Sequence, residues 1–434
     1  MRDLLLASVV FSLLPFVLKR PFWGILMMAW LGYMNPHRLA YGFMLNFPVV
    51  QVVVIVTLMG MLISKEPKRM VWSREIILLI VFVAWMGVTT TFAIYQDLAI
   101  DQYIKVIKIQ TLTFMTILML TTPERVKWFV WAIVLSLGFY GFKGGIFTIA
   151  NGGSYRVQGP GGTFIGGNNE LALALVMTIP LMRFLQLQAT RKLVKHGLTA
   201  LMLLTAIAAI GSQSRGALLA LSITGFIFWI KTKNKFVSGF LILLVVAFIL
   251  SLMPDAWYER MGTIKTYSED NSALGRINAW WMAWNLALSR ITGGGFACFL
   301  APTFAVYAPE PFRVHDSHSI YFQIMGHHGF IGLGMFLSLL GMTWFTCSRV
   351  ARLTRGDPQR LWAHQLAPMI QVSLVAYMVG GAFLGLGYFD YFYHLVALAV
   401  VVQYLAAAGA PAGQNSREAS VGQSRPTTGL VSGR

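Results

Sequence analysis

PDAWYERMGTIKTYSEDNSALGRINAWWMAWNLALSRITGGGFACFLAPTFAVYAPEPFRVHDS, from Pro254 to Ser317, is a long polar interruption in an otherwise almost continuously apolar chain. It carries Arg276, Arg313, His315 and Asp316, and the apolar pattern resumes directly after His318. On both sides of it, apolar runs of roughly 15 to 25 residues recur, the length an α-helix needs to cross a hydrocarbon core. They lie near 3–18, 21–34, 47–64, 75–94, 101–120, 126–149, 168–187, 196–211, 215–230, 236–253, 318–346, 362–384 and 391–408. The first two are short and separated only by Leu18-Lys19-Arg20-Pro21, so about twelve spans are expected.

The chain therefore reads as an all-α polytopic membrane protein. Residues 1–253 form the N-terminal transmembrane helices with short loops. Residues 254–317 form one long extramembrane loop with short helices, and 318–408 the C-terminal transmembrane helices. The stretch 409–434, rich in Gly, Ser, Pro, Thr and Ala without apolar periodicity, reads as a disordered cytoplasmic tail. Composition agrees: of 434 residues 56% are hydrophobic and 12% charged, roughly half the charged share of soluble domains.

The net charge of +18 belongs to the loops. Lys65, Lys68, Arg69 and Arg74, then Arg125 and Lys127, Arg191, Lys192 and Lys195, then Lys231, Lys233 and Lys235, and finally Arg349, Arg352, Arg355 and Arg360 mark alternate connections. Short cytoplasmic loops collect such cations, which puts the 254–317 loop outside, in the periplasm if the cell is Gram-negative. No basic, aromatic-interleaved soluble domain exists to grip nucleic acid; membrane lipids are the partners that the composition implies. Cys298 and Cys347 fall on opposite sides of a span, which excludes a disulfide between them. The N-terminal apolar run lacks a small-residue cleavage site and reads as a retained span.

Three residues stand out chemically. Arg215, in Gly211-Ser-Gln-Ser-Arg215-Gly216, lies at the outer side against the charge pattern; it either snorkels to headgroups or offers a permanently charged fork to a phosphate. Arg276 begins a segment in which Ile277, Trp281, Trp284 and Leu288 recur at helical spacing, predicting a helix along the membrane interface with Ser272 as N-cap. Arg276 would then sit in the first turn, where amides favour an anion, or pair with Glu269 or Asp270. His318 stands where the loop re-enters the membrane; a neutral imidazole there can take a hydroxyl proton, with Asp316 or a carbonyl fixing its tautomer. His315 is its competitor, while His327 and His328 lie deeper on the same helix and look less available.

Lys105 and Lys108, one turn apart on an outward-starting span, are further candidates for binding an anionic substrate. So is Arg156, in a Gly-rich loop (residues 152–162) that leads to Gly166-Gly-Asn168-Asn169-Glu170. No Asp-x-Asp, HExxH, CxxC or Walker pattern is present, so no metal ligands and no cofactor are expected, and phosphate charge falls to Arg and Lys.

Several of these motifs, in order, resemble the O-antigen ligase/polymerase superfamily of bacterial membrane glycosyltransferases. They are Ser214-Arg215-Gly216 at a span head, Arg276 upstream of Trp280 and Trp284, Gly293-Gly-Gly295-Phe296, and His318-Ser-Ile-Tyr-Phe-Gln323 with Ser319 where the family usually has Asn. Gly329-Phe-Ile-Gly332 and Asn168-Asn-Glu-Leu-Ala172 also match, so the resemblance spans about Arg156 to Leu340.

The resemblance implies a GT-C-like glycosyltransferase of the bacterial inner membrane with its site facing the periplasm. Its donor would be an undecaprenyl-diphosphate-linked glycan and its acceptor a lipid A-core sugar. Arg215 and Arg276 would hold the diphosphate and His318 would activate the acceptor hydroxyl. Direct displacement with inversion would follow, the lipid tail lying in an apolar groove between spans. Arg156, Lys105, Lys108, Arg313, Asn169, His315 and Asp316 are the expected substrate-binding residues. A polymerase would use a repeat unit as acceptor, and a protein O-oligosaccharyltransferase a hydroxyl of a secreted protein; the first part of the chain is also similar to ligase-like proteins associated with exosortase systems. A lipid or glycan transporter would instead concentrate polar groups at the bilayer midplane.

Overall fold

The computed structural model describes residues 2–231, 234–236, 239–240, 247, 251, 253–255, 257–258 and 271–408. Most of the expected span 236–253, the loop stretch 259–270 with Glu269 and Asp270, and the tail 409–434 lie outside the described residues. Among the described residues the regular structure is helical, with no β-strand.

The first half holds α1 (Arg2–Lys19), α2 (Pro21–Tyr33), α3 (Val49–Ile63), α4 (Arg74–Thr91), α5 (Gln96–Met119), α6 (Pro123–Ala150), α7 (Asn168–Gln188), α8 (Lys192–Gly211) and α9 (Arg215–Lys231). Then follow α10 (Asn271–Ser289), α11 (Ala301–Tyr307), α12 (Ile320–Leu353), α13 (Leu361–Gly381) and α14 (Asp390–Ala408). Local sequence sets the ends. Ser73 Oγ accepts from the Ile76 amide at 3.3 Å and Thr122 Oγ1 from the Arg125 amide at 3.3 Å, with Glu75 and Glu124 in the first turns.

Among the described residues six helices, α4, α6, α7, α8, α12 and α14, are long and apolar enough to cross a membrane. The expected span 236–253 lies mostly outside that count, and several other expected spans fall short of that length or hydropathy for physical reasons. Helices α1 and α2 separate at Arg20, and α2 has only 13 residues. Helix α5 spends its first half on Asp97, Asp101, Lys105 and Lys108. Helix α3 and residues 215–230 of α9 are apolar but shorter. At the centre stands α7, buried almost continuously from Leu171 to Gln186 and packed on α6, α8 and α13.

One end of the bundle gathers cations: Arg125 pairs with Glu66, Arg360 with Asp357, and Arg69 lies 4.5 Å over the Tyr404 ring. The other end, where α7, α9, α12 and α14 begin, carries the polar turns described below.

Helix α12 is kinked at Gly329 (φ 67°, ψ −172°). The Gly293-Gly-Gly295 loop fills the break: the Gly294 amide donates to Gly326 O at 2.8 Å and the Gly295 amide to His327 O at 2.9 Å. Trp85 Nε1 donates to His328 O at 2.9 Å. Three carbonyls around the kink are thus satisfied from outside the helix, as a buried break requires. A Cβ on Gly329 would meet Ile291 O at 2.3 Å, besides the cost of a left-handed residue. Gly329→Ala is therefore expected to destabilise the fold by more than about 1–2 kcal/mol, seen as a lower unfolding midpoint in detergent; an unchanged midpoint would refute this account of the motif.

Both cysteines are free and buried, Cys298 under α10 and Cys347 in α12.

Candidate functional site

The turn between α8 and α9 is built to present Arg215. Gln213 adopts a left-handed conformation (φ 57°), Ser214 N donates to Ser212 Oγ at 3.2 Å, and Ser214 Oγ caps α9 by accepting from the Ala217 amide at 3.3 Å. The Gly-rich loop locks onto this turn: Gln213 Nε2 donates to Gly153 O at 3.1 Å, Val157 N to Gly211 O at 3.2 Å, and Asn168 Nδ2 to Ser212 O at 2.8 Å. Arg156 Nε donates to Gln213 Oε1 at 3.3 Å.

Arg215 opens α9, a position where a cation opposes the positive end of the helix dipole by roughly 0.3–1 kcal/mol. An anion reverses that sign. Arg215, Gly216, Ser214 and Asn169 line a notch of ≈ 40 Å³ together with Arg276, Phe383 and Leu384. One water needs roughly 10–15 Å³ by that measure, so the notch has the size of a phosphate group, not of a sugar.

Arg276 reaches the notch from α10. This helix extends at least from Asn271, so Ser272 lies inside it and Arg276 is past the first turn; the expected N-cap and first-turn placement is corrected. On the expected apolar face Trp281, Trp284 and Leu288 are exposed and Ile277 is half-buried, while Ala279, Met282, Ala283, Leu286 and Ala287 are buried. Small residues let α10 lie close on α12, where Gly326 sits opposite Ala283.

Helix α10 also holds the loop that carries the histidines. Asn278 Nδ2 donates to Glu310 O at 2.8 Å and Arg313 O at 2.9 Å, while its Oδ1 accepts from the Glu310 amide at 2.9 Å. Trp280 Nε1 donates to Ser317 O at 2.7 Å and its ring stacks on Phe322 at 4.9 Å. Asn278→Ala removes three bonds that place this loop. A fall of at least tenfold in kcat/KM is expected, at about 0.5–1.5 kcal/mol per bond; unaltered kinetics would show that the loop is placed otherwise.

His318 sits just before α12 in a left-handed conformation (φ 40°), a strained turn for a side chain of its size. Its ring lies 5.2 Å from that of His315, which packs against Gly275; His315 Nδ1 is 2.8 Å from Asp316 O, and Asp316 Oδ1 accepts from the Ser317 amide at 2.7 Å. Burial lowers the His318 pKa below the ordinary imidazole value. Asp316 pulls it up, and Arg276 and His315 push it further down. The neutral, proton-accepting form therefore prevails around pH 7. Asp316→Asn keeps the Ser317 bond but removes the raising charge, so the acid limb of kcat/KM is expected to move to lower pH. His315→Gln removes a lowering influence and should move it up. A limb that stays put in both would dissociate the rate from His318 ionisation.

Next to this loop, the turn joining α13 to α14 is fastened by three side chains. Gln323 Oε1 accepts from the Gly387 amide at 2.9 Å, Tyr377 donates to Leu386 O at 2.9 Å and Tyr393 to Gly387 O at 3.0 Å. The turn separates the notch from a chamber of ≈ 260 Å³ lined by Gln102, Lys105, Phe296, Phe299, Asp316, Gln323, His327 and Tyr388, among others.

The structure thus unites Arg215, Arg276 and Asn169 at the notch, sets His318 with His315 and Asp316 beside Arg276, and puts Lys105 with Asp316 at the chamber. Lys108 is exposed on α5 and lines neither cavity, nor do Arg156 and Arg313; the latter pairs with Glu310 at 3.2 Å. Sequence reading missed Gln102, Gln323 and Tyr388. The adjacent His327-His328 within an apolar run was the available signal for the chamber floor. A cavity of ≈ 570 Å³ at the opposite end, lined by Arg74, Thr346, Arg349 and Arg352 among others, includes none of the expected site residues.

These features define a multi-pass α-helical membrane protein with a cationic, histidine-bearing site at one end. Residues 200–337 match the family described as O-Antigen ligase, a match that supports kinship with the O-antigen ligase/polymerase superfamily of glycosyltransferase-type enzymes. Residues 1–190 match a family of unknown function, and that segment includes Lys105, Arg156 and Asn169. The ligase-type match begins later than the expected Arg156, leaving Asn168-Asn-Glu-Leu-Ala172 in the other family. Comparison with curated proteins returned no match.

Proposed function

We propose that this protein is an O-antigen ligase of the bacterial inner membrane, transferring a glycan from undecaprenyl diphosphate to a lipid A-core sugar at the periplasmic face. The observation that carries the reading is the convergence of Arg215, Arg276, Asn169 and the α9 N-terminus on a phosphate-sized notch beside His318. Neutral His318 takes the acceptor hydroxyl proton as the oxygen attacks the anomeric carbon from the face opposite the diphosphate. The bond from that carbon to the diphosphate oxygen breaks with inversion. The electron pair leaves on the diphosphate, whose charge is met by two guanidinium forks and the helix amides. A diphosphate departs without protonation by a second carboxylic acid, so no glycosidase-type pair is required. The charge complement is supplied by arginine, and the reaction is proposed to run without a metal.

The test is transfer from undecaprenyl-diphosphate glycan to purified lipid A-core by the full chain, with EDTA present. Transfer is expected. Absence of transfer by folded protein, with transfer restored on offering a repeat unit or an acceptor protein, would reassign it to the polymerase or the protein O-oligosaccharyltransferase.

A further inference from the structure

The chamber beside the catalytic loop has a floor whose proton positions can be worked out. Tyr388 Oη lies 2.8 Å from His328 Nε2 and 2.8 Å from His327 Nδ1, and His328 Nδ1 lies 2.6 Å from Thr89 Oγ1. Thr89 Oγ1 in turn donates to Met86 O at 3.0 Å. Both imidazoles are buried and are taken as neutral, since burying an uncompensated charge is costly. One arrangement of protons then satisfies all four contacts. Thr89 gives its proton to the carbonyl, so it accepts from His328 Nδ1–H. His328 Nε2 is then an acceptor, which Tyr388 O–H fills, and Tyr388 oxygen accepts from His327 Nδ1–H. The nitrogen that His327 has left for the chamber is Nε2, and it carries a lone pair. It calls for a hydroxyl donor.

The rest of the lining agrees. Phe296 and Phe299 supply aromatic surface within 5.6 Å of the His327 ring, measured between centroids. Around them stand Gln102, Lys105, Asp316 and Gln323, which together can donate to and accept from several hydroxyls. At ≈ 260 Å³, the chamber lies below the roughly 300–1,000 Å³ typical of drug-sized ligands, a size for a single ring. Asp316, two residues from His318, forms part of its wall.

We propose that this chamber binds one sugar ring, the hydroxyl-bearing end of the acceptor, and that His327 Nε2 accepts a hydrogen bond from a hydroxyl of that ring. The ring's role as acceptor rests on the glycosyl-transfer reading; its binding does not.

The experiment uses the full chain in lipid nanodiscs, because glycoside detergents would compete. Saturation-transfer NMR is recorded with the methyl glycosides of glucose, galactose and N-acetylglucosamine. At least one is expected to bind wild type and Arg215→Ala alike, and to bind about tenfold or more weakly in His327→Phe. Gln102→Ala provides the second variant, since Gln102 is exposed on α5 and its loss leaves the core intact; it should weaken binding as well. No binding by wild type to any of the three glycosides, or equal binding in wild type, His327→Phe and Gln102→Ala, overturns the proposal. Binding weakened in both variants while wild type transfers no glycan to any acceptor upholds the sugar chamber and removes the transferase reading.

Discussion

Replacing His318 with alanine is expected to lower kcat/KM for glycan transfer by about 10²–10⁴-fold, the range that a positioned general base contributes. The residue has the attributes of such a base: it is held neutral by burial, and its protonation is tuned in opposite directions by Asp316 and by Arg276 and His315. A loss in the alanine variant alone would not separate a base from a group that merely orients the acceptor. His318→Asn makes that separation. Asparagine tolerates the left-handed backbone at this position and keeps a hydrogen-bond acceptor, but it cannot take a proton. A base predicts that Asn is as poor as Ala, and that the acid limb of the residual activity disappears. An orienting residue predicts substantial recovery with Asn. Unfolding midpoints should match wild type in both variants, because His318 lies outside the packed helices.

The second large effect is expected at the two arginines. Arg215→Ala and Arg276→Ala should each reduce kcat about 10²–10³-fold, as removal of one preorganised group from a developing negative charge does. The double variant should lose less than the product of the two losses, since both groups serve one leaving group. Lysine should restore little at either position: an ammonium carries the charge but not the planar two-pronged fork that matches phosphate oxygens. Arg215 also stands at the start of α9, where the helix amides favour an anion. A bound pyrophosphate should therefore raise the unfolding midpoint of wild type and not that of Arg215→Ala. A midpoint raised equally in both proteins, or full activity in either lysine variant, would sink the diphosphate assignment.

How much of this was legible beforehand can be argued residue by residue. Arg215, Arg276 and His318 were readable because each is a polar group at the edge of an apolar run, where its cost demands a reason. The exposed apolar face of α10 was readable because Trp281, Trp284 and Leu288 follow the helical period. Its start was misplaced because Ser272 looks like a cap, and local capping chemistry does not say whether the helix already runs past it. Among the described residues fewer helices than expected are long and apolar enough to cross a membrane, because a hydropathy run does not weigh charges that cluster on one half of a helix, as in α5. Lys108 and Arg313 carried the right charge, yet helix rotation and a neighbouring Glu310 took them away from the cavities.

By itself the sequence determined an all-helical membrane protein with a polar, arginine- and histidine-bearing segment at one end, because hydrocarbon admits apolar helices and expels unpaired charge. Only the tertiary structure decided what those groups share. The notch joins Arg215 on α9 to Arg276 on α10 and Asn169 on α7, elements far apart along the chain. The chamber floor depends on Thr89, His327, His328 and Tyr388 meeting across two helices and a turn. Gly294 and Gly295 acquire their meaning only where their amides replace hydrogen bonds that α12 loses at Gly329. Such meetings are fixed by packing and by the satisfaction of buried polar groups, which are properties of the assembled helices and have no local signature.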